Sequence, residues 1–166
     1  MIYPTLRHLY SNSIESYANR SAFSLFKETP VTYEDFAQRV EKVKGLLMSA
    51  GLQKGDKVAL LGTSMPNWNV CYFATVTIGM VVVPILPDFS PDAIVAILEH
   101  SESKALFVTD KLYAKIPATA KERLDLIIRT VNLKAVGGKK AGTVAIPEAF
   151  PEPEPEDLAS IIYTSG

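Results

Sequence analysis

Four short runs in this chain are apolar without alternating. They are KVALLG (Lys57–Gly62), MVVVPI (Met80–Ile85), the run around Ala105–Val108 in KALFVTD, and the run around Leu126–Val131 in DLIIRTV. A strand with one wet face alternates apolar and polar residues, whereas a strand covered on both faces loses that alternation. Helix-length segments separate the runs. Asn67–Ile78 is one, and SPDAIVAILEHSE is another, with Ser90 suited to cap it and Pro91 at a favoured first helical position. Lys111–Arg123 has room for one or two short helices. Parallel neighbours need such crossovers. The pattern therefore predicts an α/β fold, a largely parallel sheet with helices on both faces.

Ahead of this alternation, SAFSLFKETPVTYEDF reads as a short hairpin, with Phe23–Phe26 apolar, a turn at Glu28–Pro30 and Val31 leading into a helix. Thr32 is a good N-cap, with Asp35 three residues on as its imperfect capping-box partner. Phe36, Val40, Val43 and Leu47 follow at helical spacing, and Gly51 is a stop signal. Further on, Gly137 and Gly138 in VGGKKAGTV suit a tight turn, and Lys139 and Lys140 are read as solvated.

The longest uncharged stretch, Trp68–Leu86, approaches the roughly 20 residues that a membrane-spanning helix needs. Gly79 divides it, Val81–Val83 is β-branched throughout and Pro84 follows, so a helix, a turn and a buried strand are expected instead of a transmembrane segment. MIYPTLRHLY lacks the features of a secretory signal, and a cytoplasmic location is expected. The formal net charge of -1 offers no broad basic face for nucleic acid. Cys71 is the only cysteine, which excludes an internal disulfide and a Cys-x-x-Cys pair, and it reads as a small buried residue. His8 and His100 are isolated, and His100 falls near a helix end. No metal-ligating pattern is present.

PEPEPED, Pro151–Asp157, reads as an extended, mobile connector whose carboxylates repel one another. It leads into an expected strand, Leu158–Tyr163, and then Thr164, Ser165 and Gly166. Backbone N–H groups in a tight turn hold phosphate well, hydroxyl side chains add donors, and glycine permits close approach. These residues are therefore the candidate binding residues, although strand-to-Thr-Ser-Gly turns also occur in proteins with no ligand. The expected division is an α/β subdomain over 1–150, a connector over 151–157, and a strand with the start of a phosphate-binding loop over 158–166.

In order, VTYEDFAQRV, GLQKGDKVALLG, the Trp68–Pro84 run, ILEHSESKALFVTD and DLASIIYTSG resemble the AMP-forming adenylating enzymes, from about Val31 to Gly166. That family includes acyl-CoA synthetases, peptide-synthetase adenylation domains and luciferases. The most specific piece is Tyr163-Thr164-Ser165-Gly166, which in the family opens a loop rich in Gly, Ser and Thr that ends in a Pro-Lys-Gly segment. EDLASIIYTSG and Gly79–Pro84 look most like the long-chain fatty acyl-CoA ligase branch. In LLGTSMPNWNV the chain departs from relatives that often carry Asn at Ser64 and an acidic residue at Asn67. Trp68 is read as a packing residue.

The resemblance implies the amino-terminal part of a longer ligase that uses ATP, Mg2+ and coenzyme A on a fatty acid, with Thr164, Ser165 and Gly166 carried over as the start of the phosphate grip. No catalytic or metal residue carries over. It also implies a location that can be peripheral to a membrane, and an isolated fragment that neither forms acyl-adenylate nor binds ATP tightly. Apolar surface left where a further domain docks could make the fragment self-associate. Two other readings stand beside this one: a self-contained α/β binding or scaffold domain, and an adenylating enzyme for another acid or for a carrier-protein thiol.

Overall fold

The computed structural model describes residues 5–164. Its centre is a five-stranded sheet formed by β3 (Lys57–Leu61), β4 (Val81–Ile85), β5 (Ala105–Val108), β6 (Leu126–Arg129) and β7 (Lys134–Gly137), in the order β4-β3-β5-β6-β7. The first four strands are parallel, and β7 returns antiparallel to β6. A separate antiparallel pair, β1 (Ser21–Phe23) and β2 (Val31–Thr32), precedes them. This hairpin turns between Leu25 and Glu28, which leaves Phe26 exposed at its tip.

Side chains alternate between the two faces of the sheet, and each face has its own helical cover. Val58, Leu60, Val82, Phe107 and Ile128 pack against α1 (Leu6–Tyr17), α2 (Tyr33–Ser49) and α3 (Pro66–Val76). Leu61, Val83, Ile85, Leu106 and Ile127 pack against α4 (Pro91–His100), α5 (Asp110–Tyr113) and α6 (Ala118–Lys121). Burial on both sides explains why these strands read as continuous apolar runs. The expected fold class is the observed one.

The local signals act as anticipated along most of the chain. The Thr32 side chain accepts from the Asp35 N–H at 3.1 Å and Asp35 Oδ2 accepts from the Thr32 N–H at 3.4 Å, which closes a capping box. Phe36, Val40, Val43 and Leu47 form the buried stripe of α2. Ser90 caps α4 by accepting from Ala93 N–H at 3.2 Å. The uncharged Trp68–Leu86 stretch divides at Gly79 into the end of α3, a turn and β4. Gly79 has φ +71°, and a Cβ there would lie 2.9 Å from the Lys54 side chain, so glycine suits both the backbone and the crossing lysine.

Two elements were not expected. α1 has a largely polar sequence with Tyr10 as its buried residue, and it starts at a capping box in which His8 is the partner of Thr5. β7, within KAVG, is almost wholly exposed and carries no apolar pattern.

Candidate functional site

In an open parallel sheet, ligands bind at the carboxyl ends of the strands, where the strand order reverses. Here the chain leaves β3 for β4 on one side and returns to β5 on the other, so the reversal lies between β3 and β5. The loops that follow these strands line an open cavity of about 490 Å3, with Thr63, Pro87, Asp88, Asp110, Lys111 and Lys115 in its wall. A second hollow of about 460 Å3 adjoins it, against Gly62, Ser64, Trp68 and Leu86. Both have the size of small-molecule sites. Trp68 stacks on Tyr72, with ring centroids 5.5 Å apart, and packs against the core.

The chain reaches the outer side of β4 through residues 158–163. Val82 N–H donates to the Ala159 carbonyl and Ile161 N–H donates to the Val82 carbonyl, each at 3.0 Å. Ser160 thereby bridges Val82 in parallel, and the segment runs toward the carboxyl edge of the sheet. The expected strand Leu158–Tyr163 is thus reduced to one bridge. No further strand lies outside it among the described residues, and Leu158 and Ile162 are exposed, so the outer edge lacks a partner that would extend the ladder.

Tyr163 then turns its ring onto the α4 side of the sheet. Its hydroxyl lies 2.7 Å from Nδ1 of His100, and the two rings meet edge to face at 5.7 Å. Thr164 follows and is exposed. Of the three candidate phosphate-binding residues, the structure therefore places Thr164, while Ser165 and Gly166 lie outside the described residues.

The Pro151–Asp157 connector makes side-chain contacts with the rest of the fold that its composition did not disclose. Arg7 donates to the carbonyls of Thr77 at 3.2 Å and Pro151 at 3.4 Å, and it pairs with Glu152 at 2.6 Å. Lys44, almost fully buried, pairs with Glu41 at 2.6 Å and lies between the Tyr10 and Phe150 rings. Lys54 crosses Gly79 to pair with Asp157 at 2.7 Å. That lysine, together with the Glu154 backbone N–H, holds the Asp157 carboxyl below its usual range. The connector's carboxylates repel one another, and the fold places cations opposite two of them, Glu152 and Asp157.

Asn67 has a structural role that its position alone did not disclose. Its amide donates to the carbonyls of Thr130 at 2.7 Å and Val131 at 3.2 Å, and its oxygen accepts from Arg39 at 3.0 Å. A carboxylate could keep the arginine but has no N–H for the carbonyls. Cys71 is wholly buried in α3, and desolvation pushes its thiol far above the ordinary range, as expected of a packing residue.

Magnesium is implied by the resemblance. Among the described residues no group of three or more His, Cys, Asp or Glu side chains is arranged to hold a metal ion, so these residues do not form the site and no step is assigned through it.

The architecture is that of an open α/β domain with its candidate ligand crevice at the carboxyl edge. A family model described as AMP-binding enzyme matches residues 10–166, and the chain belongs to that family. Over 98% of its length the chain is 27% identical to "Long chain acyl-CoA synthetase 7, peroxisomal" of Arabidopsis thaliana, and it covers 27% of that protein. It is 29% identical to the L-proline--[L-prolyl-carrier protein] ligase of Streptomyces coelicolor, over 98% of this chain and 32% of that one. The chain thus spans about a quarter to a third of the length of the curated relatives it matches. Among solved structures, the Klebsiella oxytoca NpsA N-terminal subdomain in complex with 3-hydroxybenzoyl-AMSN superposes with a TM-score of 0.77 at 21% identity, covering 99% of this chain and 39% of that one. The shared fold is that of the amino-terminal subdomain of adenylating enzymes.

Proposed function

We propose that this chain is the amino-terminal part of an ATP-dependent fatty acid–CoA ligase, in which Thr164, Ser165 and Gly166 begin the loop that grips the outgoing phosphates. The observation that carries this reading is the family match running through residue 166, so that the Tyr163–Gly166 segment falls within it. The long chain acyl-CoA synthetase relative supports a fatty acid as the substrate.

The chemistry answers a specific difficulty. A carboxylate is a poor electrophile, because attack on it would have to expel an oxide. In the proposed reaction its oxygen attacks the α-phosphorus of ATP, pyrophosphate leaves, and an acyl-adenylate forms. The thiol of coenzyme A, losing its proton, then attacks the acyl carbon, and the C–O bond to AMP breaks. Catalysis of the first step depends chiefly on positioning and on neutralising charge on the phosphates. Donors from a hydroxyl-rich turn at the end of a strand meet that need. Mg2+ would add charge neutralisation through residues other than those described.

A second reading keeps adenylation and changes the acid or the thiol. It is favoured by the prolyl-carrier protein ligase among the relatives and by the 3-hydroxybenzoyl compound in the Klebsiella structure. No helix among the described residues is long and apolar enough to cross a membrane, and a cytoplasmic enzyme that meets its fatty acid at the membrane surface is part of the proposal. Pyrophosphate–ATP exchange by the intact enzyme, measured over a panel of fatty, aryl and amino acids, separates the readings. Exchange with long-chain fatty acids is expected, whereas strong exchange with amino acids and none with fatty acids would remove the preferred substrate.

A further inference from the structure

Between the last backbone hydrogen bond to β4, made by Ile161, and the candidate phosphate-binding turn, which starts at Thr164, two residues intervene, Ile162 and Tyr163. Ile162 is exposed and so is Thr164, while Tyr163 between them is half-buried. No backbone hydrogen bond fixes residues 162–164 among the described residues. The restraint closest to Thr164 is therefore the Tyr163 side chain, whose hydroxyl meets His100 Nδ1 at 2.7 Å and whose ring meets the imidazole edge to face at 88°. His100 belongs to the last turn of α4, a helix anchored under the sheet by Ile94, Ile97 and Leu98. A rigid element thus reaches across to the residue immediately before Thr164.

From this geometry we propose that His100 is a positioning residue for the phosphate grip: through Tyr163 it sets where Thr164, the first of the candidate phosphate-binding residues, leaves the sheet. The inference rests on the reading of those residues as a phosphate grip. Donors aimed at a phosphate work only when pre-oriented, because otherwise their ordering is charged against ligand binding. Loss of the contact leaves the fold intact and loosens the turn, so its effect falls on nucleotide affinity rather than on acid affinity.

The test uses the full-length enzyme that carries this sequence, with His100→Ala, Tyr163→Phe, the double variant and His100→Asn. The asparagine amide can occupy the place of Nδ1. Equilibrium binding of ATP and of a non-hydrolysable analogue is measured beside thermal unfolding and the KM for the acid. Expected is an ATP affinity about two- to tenfold weaker in each of the first two variants, the range one net hydrogen bond supports. The double variant should be no weaker than either single one, His100→Asn should restore most of the affinity, and Tm and acid KM should stay unchanged. Unchanged ATP affinity in both single variants would overturn the inference, as would effects that simply add in the double variant. Acid-dependent pyrophosphate exchange is measured in parallel. Its absence from an enzyme whose ATP affinity still depends on the His100–Tyr163 pair would refute the ligase reading and uphold the positioning role.

Discussion

Gly138 offers a sharp test of how the sheet is closed on its β7 side. The residue follows β7 with φ +113°, and a Cβ built on it would lie 2.4 Å from the Asp125 carbonyl oxygen and 2.5 Å from Leu126 Cα. Those atoms belong to the backbone and cannot rotate away. Gly138→Ala must therefore push the turn off the start of β6, where Lys139 N–H donates to Leu124 O at 3.0 Å and Lys140 N–H donates to Asp125 O at 2.9 Å. The unfavourable backbone conformation costs about 1–2 kcal/mol. Loss of two hydrogen bonds adds roughly 1–3 kcal/mol. Gly142, four residues on, is the control: it also has positive φ, +69°, but a Cβ there meets nothing within 4 Å. Its alanine variant should lose only the first contribution. For a chain of this size each kcal/mol shifts Tm by roughly 2–4 °C. Gly138→Ala should then melt roughly 4–20 °C below the parent protein and clearly below Gly142→Ala. Thermal unfolding followed by circular dichroism reads the difference, and hydrogen exchange should show lost protection at the Lys139 and Lys140 amides in Gly138→Ala alone. Equal melting temperatures for the two variants, with both amides still protected, would refute the reasoning.

Asn67→Leu removes the donors that serve the Thr130 and Val131 carbonyls, and it should lower stability by about 1–2 kcal/mol in urea unfolding; an unchanged midpoint would deny the bridge a role. Cys71 should resist a thiol reagent at pH 8 in the native protein and react at once in denaturant, and rapid native labelling would contradict its burial. Asp157 has a depressed folded-state pKa, so its contribution to stability is present above the usual value of 3.8 and is lost as pH falls through the lower folded value. Its carboxyl resonance should accordingly titrate below 3.8 in the native protein and move up in Lys54→Met; the same midpoint in both would show that the pair does not hold the connector.

These cases mark where local sequence speaks and where it falls silent. β3 to β6 were legible because burial on both faces writes itself into consecutive residues, and α2 because cap, stripe and stop lie within one segment. α1 was not, since its helix is set by a His8 capping partner and docks through few apolar residues. β7 was hidden for another reason: KAVG is exposed, and its place depends on the absence of a side chain at Gly138. The same division runs through the candidate site. Residue type and position after an apolar run pointed to Thr164. What orients that segment did not show, because Val82, His100 and Lys54 meet residues that stand far away along the chain. The cations opposite Glu152 and Asp157 were hidden too, since like charges in a row are visible in a sequence and distant cations are not.

The central claim is that the Tyr163–Gly166 segment opens a loop serving attack of a fatty carboxylate on the α-phosphorus of ATP. The most direct measurement supplies the full-length enzyme with a long-chain fatty acid carrying heavy oxygen in both carboxylate positions, together with ATP and coenzyme A, and weighs the products. The account predicts acyl-CoA, unlabelled pyrophosphate, and AMP that carries one heavy oxygen from the acid. Heavy oxygen in inorganic phosphate, with ADP in place of AMP, would contradict it.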